Sequence, residues 1–215
     1  MIIDCISDLH GFQPELPGGD LLIVAGDLTA RDTPPEYDRF AGWLKRQKYL
    51  YKIVIAGNHD GLLQRFPERV HHTEDLERFQ GRLYSSDAYL CDSGVEVWGF
   101  KIWGSPWTPT MLNWHFMKDR GDPIKAMWDL IPDDTEILIT HGPAYGIQDQ
   151  VGSKLLGCEE LRRTIDTRLK KLKLHVFGHI HDSYGKVTVN SVIHVNASIM
   201  DEQYNPVNKP IRVIL

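Results

Sequence analysis

The sequence predicts an α/β fold in which two β-sheets pack face to face and helices cover their outer sides. Three observations support this prediction: short β-branched runs that end in turn residues, helical stretches between these runs, and antiparallel strands in the middle and tail of the chain. The chain has 215 residues, of which 42% are hydrophobic and 25% charged. This size and balance are typical of one globular domain, which we place at residues 1–215.

The first observation is a set of five apolar runs, each followed by a pair of turn residues that includes Asp, Asn or His. They are 2–6, 21–25, 53–56, 137–140 and 175–177. Runs as apolar as these are typical of strands buried on both faces. The second observation is that 35–48 and 159–171 carry apolar side chains at helical spacing. The alternation of strands with helices favours an α/β topology.

The third observation is a different pattern in the middle of the chain, from 84 to 107, and in the tail. The shorter runs with antiparallel character are 89–91, 95–98 and 100–103 in the middle and 185–189, 192–195 and 211–215 in the tail. Gly94 and Gly99 separate the middle runs. Two sheets that pack against each other accommodate both patterns.

Charge, cysteine content and hydropathy argue against several classes of protein. Acidic residues number 29 and basic residues 24, and a net charge of −5 argues against nucleic acid as a partner. The three cysteines have no CxxC spacing, so neither a disulfide framework nor a thiolate zinc site is indicated. Asp4 and Asp8 interrupt the N-terminal apolar stretch, and no apolar run of about 18 residues occurs. We therefore expect a cytoplasmic protein that does not cross a membrane.

Each of the five apolar runs leads into side chains that can bind a metal ion. In chain order these are Asp8, His10, Asp27, Asn58, His59, His141, His179 and His181. Because α/β sheets bind ligands at the carboxyl ends of their strands, we expect these side chains to converge at one edge. Imidazole, carboxylate and amide groups without thiolate favour Mn, Fe, Co or Zn over Ca or Mg. So many candidate ligands indicate two ions that share a carboxylate.

Four glycines accompany these candidate ligands. They are Gly26, Gly57, Gly142 and Gly178. Glycine is expected wherever the chain turns sharply and the backbone comes close to an ion.

The ordered series DxH, GD, GNHD, a lone His followed by Gly, and GHxH resembles the calcineurin-like metallophosphoesterases, with a match from residue 4 to 182. Further segments resemble the class III branch, which includes the metallophosphoesterase-domain-containing (MPPED) proteins. They are WGSPWTP at 103–109, the Asn113-Trp114 pair, HGPAYG, LHVFGHIHDSYG and the tail NASIMDEQYNPVNKP. The resemblance implies a four-layer α/β/β/α sandwich with two mixed β-sheets flanked by helices.

The resemblance also implies roles for individual residues. Asp8, His10 and His181 would hold one metal ion, Asn58, His141 and His179 the other, and Asp27 would bridge the two. His59 would assist the leaving group, and Asp60, where many relatives have Glu, would orient His59. The expected cofactors are two divalent transition-metal ions, Mn first, with Fe, Zn and Co as alternatives. Two such ions activate a bridging hydroxide for in-line attack on phosphorus.

The function that the resemblance implies is hydrolysis of small phosphodiesters, including cyclic nucleotides and aryl phosphodiesters. Two alternatives stay open: a non-catalytic scaffold of the same fold that binds protein partners, and a phosphomonoesterase or nuclease of the same superfamily. Trp107, Trp114 and His115 are the candidates for substrate contact, and for the two tryptophans a homodimer contact is the alternative. Trp98 and Trp103 are expected in the core between the sheets.

Five histidines fall outside the motifs. Apart from His115 they are His71, His72, His175 and His194, which we expect on the surface or in the core.

Overall fold

The computed structural model describes residues 1–65 and 88–215. Its strands are β1 (Ile2–Ile6), β2 (Gly19–Ala25), β3 (Tyr49–Ile55), β4 (Ala88–Tyr89), β5 (Ser93–Val97), β6 (Phe100–Ser105), β7 (Thr108–Pro109), β8 (Met117–Lys118), β9 (Ile137–Thr140), β10 (Gln150–Val151), β11 (Lys154–Leu155), β12 (Leu174–Phe177), β13 (Gly185–Val189), β14 (Val192–Asn196) and β15 (Ile211–Ile214). Its helices are α1 (Pro34–Arg46), α2 (Gly61–Arg65), α3 (Asp122–Trp128) and α4 (Glu159–Thr167), with a 3₁₀ turn at His181–Ser183.

Two large mixed sheets dominate the fold. The first has the strand order β15-β1-β2-β3-β4, in which β1 to β4 run parallel and β15 is antiparallel to β1. The second has the order β13-β14-β12-β9-β6-β5, in which the four central strands are parallel and both edge strands antiparallel. The five strands that precede the candidate ligands therefore occupy interior positions, with a neighbouring strand on each side. They are β1, β2 and β3 in the first sheet and β9 and β12 in the second.

The layers follow from the alternation of side chains along the strands. Apolar residues of both sheets, such as Ile3 of β1 and Val176 of β12, form the core between the sheets. Helix α1 covers the outer face of the first sheet, where Leu44 packs in a cluster with Ile6. Helices α3 and α4 cover the outer face of the second sheet. The predicted α/β/β/α sandwich is confirmed.

The structure corrects several details. Helix α1 ends at Arg46 because Gln47 is already extended and leads into β3, and α4 ends at Thr167. Strand β4 pairs in parallel with β3, whereas the sequence predicted an antiparallel strand there. Residues 84–87, with which that segment begins, lie outside the described residues, as do His71 and His72.

The expected core positions of Trp98 and Trp103 are wrong. Trp98 is 50% exposed in the turn between β5 and β6, where its ring packs edge-on against Tyr51. Trp103 is half-buried on the outer face of the second sheet, because its neighbour Ile102 takes the inward direction of the strand. Within the described ranges, no helix has the length and apolar character needed to span a bilayer.

Candidate metal centre

The loops that follow β1, β2, β9 and β12 come together at one edge of the sandwich. The backbone N–H of Asp8 donates to the carbonyl oxygen of Gly26 at 3.0 Å, and that of His10 donates to Asp27 at 2.9 Å. In the second sheet, the N–H of Gly178 donates to the carbonyl oxygen of His141 at 2.9 Å. These hydrogen bonds hold the candidate ligands of different strands next to one another.

One group of possible ligands consists of Asp8, His10 and His181. A ligand atom from each lies within 4.8 Å of the other two. Nε2 of His181 is 3.4 Å from Oδ1 of Asp8. Asp8 is fully buried, and its two carboxylate oxygens accept the backbone N–H of His179 at 3.1 and 3.0 Å. The group is therefore compact and its carboxylate is held in place by the backbone.

A second group centres on Asp27. Oδ2 of Asp27 lies 3.3 Å from Nε2 of His141 and 3.6 Å from Nε2 of His10. The same Nε2 of His141 is 2.9 Å from Oδ1 of Asn58. The ring centroids of His141 and His179 are 5.1 Å apart. The structure thus brings all seven residues predicted as ligands into one cluster, with Asp27 next to histidines of both proposed sets.

Hydrogen bonds to the backbone set the orientation of two of these histidines. Nδ1 of His141 pairs with the carbonyl oxygen of Ala25 at 2.9 Å, and Nδ1 of His181 pairs with that of Asp201 at 2.9 Å. A carbonyl can only accept, so each Nδ1 carries a proton and each Nε2 faces the carboxylates as a potential ligand. Nε2 of His10 is buried and has no hydrogen-bond partner among the described residues. This donor set, with its orphaned imidazole nitrogen, fits a pair of divalent transition-metal ions.

The charges in the cluster also favour cations. Burial alone would raise the pKa of Asp8, but hydrogen bonding and charge from His181 lower it to about 2. Burial alone would lower the pKa of His141, but Asp27 raises it to about 9. Burial lowers the pKa of His179 to about 4. Burial alone would raise the pKa of Asp27 too, but the charge and hydrogen bond of His141 hold it well below its usual range. At neutral pH the site therefore holds two buried ionised carboxylates, whose charge a protonated His141 or a bound cation compensates.

The backbone is strained at the predicted ligands. Four of the seven have a positive φ: Asp8 (56°), His10 (42°), Asp27 (51°) and His179 (68°). Residues other than glycine adopt this region at a cost, and such positions concentrate at functional sites.

Two of the glycines allow close approach to the carboxylates. A Cβ atom at Gly57 would lie 2.3 Å from Oδ1 of Asp27, and one at Gly178 would lie 2.0 Å from Oδ2 of Asp8. At these two positions glycine is needed because a larger residue would place its Cβ atom against a carboxylate oxygen of a predicted ligand.

His59 lies at the margin of the cluster and is half-buried. Its backbone N–H donates to Oδ1 of Asp27 at 2.8 Å, and its ring packs edge-on against His10 with 4.6 Å between centroids. A ligand atom of His59 also lies within 4.8 Å of those of His10 and Asp27. His59 is thus close enough to contact a molecule bound at the cluster.

Asp60 has contacts other than those expected. Its fully buried carboxylate accepts hydrogen bonds from the backbone N–H groups of Leu28 (3.0 Å), Thr29 (3.1 Å) and Gly57 (2.9 Å). The imidazole of His59, which Asp60 was expected to orient, is not among the described contacts of this carboxylate. Burial, together with the charge of Asp27, raises the pKa of Asp60 to about 7. Asp60 therefore ties the loop after β2 to the loop after β3 and positions Asp27 and His59 through the backbone.

The three residues predicted to contact substrate, Trp107, Trp114 and His115, differ in how close they lie to the cluster. The ring of Trp114 is 40% exposed and packs on His59 with 4.1 Å between centroids. His115 donates its backbone N–H to the carbonyl oxygen of Asn58 at 3.3 Å. Trp107 instead packs with the outer-face cluster of α3 and α4 and donates Nε1–H to Asp92 at 2.7 Å. Trp114 is therefore the candidate best placed to meet a substrate, and the contacts of Trp107 are structural.

One residue at the site was missed from the sequence. The ring of Tyr204 lies 4.9 Å from that of His10 and 5.1 Å from that of His181. The available signal was its place in the tail motif NASIMDEQYNPVNKP, which showed a family pattern but no chemistry for this side chain.

The fold and the cluster define a class of protein, and comparison with known families identifies it. The family model described as "Calcineurin-like phosphoesterase" matches residues 1–183, and the chain belongs to this family. Members are phosphoester hydrolases that use a dinuclear divalent-metal centre. The resemblance seen in the sequence motifs is thereby confirmed.

Individual relatives extend this result. The metallophosphoesterase domain-containing protein 1 of Homo sapiens is 42% identical over 229 residues, which cover 98% of this chain and 70% of that protein. A UPF0046 protein of Caenorhabditis elegans is 34% identical over 230 residues, covering 96% of this chain and 58% of that protein. A 3′,5′-cyclic-nucleotide phosphodiesterase of Nostoc sp. is 25% identical over 187 residues, covering 82% of this chain and 60% of that protein.

Proposed function

We propose that this protein is a metal-dependent phosphodiesterase that hydrolyses small diesters, including cyclic nucleotides and aryl phosphodiesters. The observation that carries the proposal is the buried cluster in which Asp8 and Asp27 face histidines from three different loops. The preference for diesters is supported by the class III motifs and by the name of the Nostoc relative.

We further propose which residues hold the two ions. Asp8, His10 and His181 form one set, Asn58, His141 and His179 form the other, and Asp27 belongs to both. The support is the contact of Asp27 with His10 on one side and His141 on the other. Imidazole, carboxylate and amide donors suit Mn, Fe, Zn and Co alike. Among these ions we propose Mn first and keep the other three as alternatives.

The ions and the chain would divide the chemistry between them. When bound, two divalent ions supply Lewis acidity, which polarises a phosphoryl group and lowers the pKa of water. The imidazole of His59 would donate a proton to the leaving-group oxygen, a contribution of about 10²–10⁴-fold in rate. Trp114 packs against this ring and Asp27 holds its backbone, so the chain fixes His59 at the margin of the cluster.

A substrate panel on metal-reconstituted protein tests the proposal. Protein stripped of metal is loaded separately with Mn, Fe(II), Zn or Co and assayed with bis(p-nitrophenyl) phosphate, a cyclic nucleotide and p-nitrophenyl phosphate. We expect the diesters to be hydrolysed in preference to the monoester and Mn to restore the highest rate. A preference for the monoester by more than about tenfold, a whole order in kcat/KM, would overturn the choice of diester.

Two variants separate a specific site from a contaminating activity. His59→Ala removes the proposed proton donor and should lower the rate. Trp98→Ala is the control. It removes an exposed aromatic residue in the turn between β5 and β6 and should leave the rate unchanged. Equal rates in the two variants would contradict the role of His59.

A further inference from the structure

The tail segment 201–208 forms a tightly hydrogen-bonded loop beside the cluster. The carboxylate of Asp201 accepts the backbone N–H groups of Gln203 and Asn205 at 2.9 and 2.8 Å, and the N–H of Asp201 donates to the carbonyl oxygen of Asn205 at 2.9 Å. Asn208 closes the loop by donating its backbone N–H to Ile199 at 3.1 Å. The carbonyl oxygen of Asp201 is also the acceptor for Nδ1 of His181. The loop and the candidate ligand therefore hold each other in position.

Tyr204 occupies the tip of this loop in an unusual conformation. Its φ is 62°, a value that a bulky aromatic residue adopts only with backbone strain. The ring nevertheless stays 54% exposed, so core burial does not offset the strain. What the conformation achieves is a ring that contacts His10 and His181 and leaves much of its surface open to solvent.

A second exposed aromatic ring lies close by. Trp114 packs on His59 at 4.1 Å, and Tyr204 is 6.4 Å from the same imidazole. Trp114 is held independently of the tail, since its neighbours His115 and Phe116 donate backbone N–H groups to Asn58 and to the Gln64 side chain. Two separate parts of the chain thus present aromatic surface beside one polar, metal-competent cluster.

We propose that Tyr204 is a specificity-determining residue that stacks on a flat ring carried by the ester, with the phosphate group at the cluster. This inference rests on the proposed function and narrows its substrate class to aryl esters and nucleotides, as opposed to diesters with only alkyl groups. Stacking on an aromatic side chain strengthens binding and tolerates different rings, because each ring has a π face. The hydroxyl group of Tyr204 is not needed for this role.

Binding of two phosphonates tests the inference without turnover. Phenylphosphonate and methylphosphonate carry the same anionic group, have no ester bond to hydrolyse and differ in the ring. Dissociation constants are measured by calorimetry on Mn-loaded wild type and on Mn-loaded Tyr204→Ala, Tyr204→Phe and Val207→Ala. Val207 is a matched control because it is 61% exposed in the same loop.

We expect wild-type protein to bind phenylphosphonate more tightly than methylphosphonate by about tenfold, within the range that stacking supplies. Tyr204→Ala should lose most of this preference while its affinity for methylphosphonate stays within about twofold of the wild-type value. Tyr204→Phe and Val207→Ala should keep the preference. With an aryl diester, Tyr204→Ala should raise KM and leave kcat largely unchanged.

Three results would overturn the inference. An unchanged preference in Tyr204→Ala, particularly if Trp114→Ala abolishes it, would assign the stacking to Trp114. An equal loss of affinity for both phosphonates would make Tyr204 a support of the cluster. If neither phosphonate binds Mn-loaded wild type while Mn itself binds, there is no anion site at the cluster beside which Tyr204 could stack, and the inference fails. Hydrolysis of the diesters in the substrate panel then decides separately whether the proposed function holds.

Discussion

Replacement of Gly178 by alanine tests how closely the backbone must approach the predicted ligands. Gly178 follows β12, and a Cβ atom there would lie 2.0 Å from Oδ2 of Asp8 and 2.3 Å from Oγ of Ser7. Real Cβ atoms stay at least 3.0 Å from such neighbours, so the Asp8 contact has to open by 1.0 Å (3.0 minus 2.0). Ser7 cannot give way easily because it is fully buried and its hydroxyl donates to the carbonyl oxygen of Ala25 at 3.0 Å.

The size of the effect follows from this displacement. Moving a group that orients a metal ligand costs about 10–100-fold in metal affinity, and a misplacement of about 1 Å at a reacting centre costs about 10²-fold in rate. Overfilling a packed site costs about 1–3 kcal/mol of stability. We therefore expect Gly178→Ala to fold, to bind Mn about 10–100-fold more weakly and to lose most of its diesterase activity.

Calorimetric titration with Mn and urea unfolding with and without Mn measure these effects. Gly42→Ala is the matched control: it lies in α1, and the nearest atom to its new Cβ is Nη1 of Arg46 at 3.6 Å, the far end of a flexible side chain. It should keep wild-type metal affinity and gain up to about 1 kcal/mol of stability. Wild-type Mn affinity in Gly178→Ala would contradict this expectation, since Asp8 would then have tolerated the displacement or would not bind metal.

Three further predictions concern His59, Asp60 and His194. His59→Ala should lower kcat on an aryl diester by about 10²–10⁴-fold with unchanged metal content by atomic absorption; a loss of metal would instead make His59 a ligand. Asp60→Ala leaves the buried N–H groups of Thr29 and Gly57 without their carboxylate acceptor, so the free energy of unfolding in urea should fall by at least about 2 kcal/mol, and a fall below about 0.5 kcal/mol, the size of a surface substitution, would contradict this. Burial, with the charge of Arg162, lowers the pKa of His194 from 6.5 to about 4. As the pH falls from the higher value to the lower, the unfolded chain binds a proton that the folded chain does not. The free energy of unfolding of wild type should therefore fall by about 3 kcal/mol more than that of His194→Gln. Parallel plots of unfolding free energy against pH for the two proteins would contradict the lowered pKa of His194.

The fold and the candidate cluster were predictable because local chemistry determines them. The apolar runs that became β1, β2, β3, β9 and β12 are strands whose neighbours on both sides are also strands, and their composition reflects that burial. The carboxyl ends of parallel strands share an edge, so polar residues distant in sequence could be placed together. The order of the motifs then indicated the family.

The details that escaped prediction depend on tertiary contacts. Trp103 faces outward because the register of β6 directs Ile102 into the core, and composition does not reveal that choice. Asp60 was expected to act on His59, yet its acceptors are occupied by backbone groups of a loop about thirty residues away in sequence. Tyr204 reaches the cluster through a loop whose hydrogen bonds are formed by its own backbone and Asp201. None of these contacts has a periodic signature in the sequence.

We propose that this chain uses two metal ions to hydrolyse phosphodiesters. The most direct test is to titrate metal-free protein with Mn and to record the rate of bis(p-nitrophenyl) phosphate hydrolysis after each addition. We expect the rate to reach its maximum when two ions are bound per chain. A maximum at one ion per chain, or no hydrolysis at full metal occupancy, would contradict it.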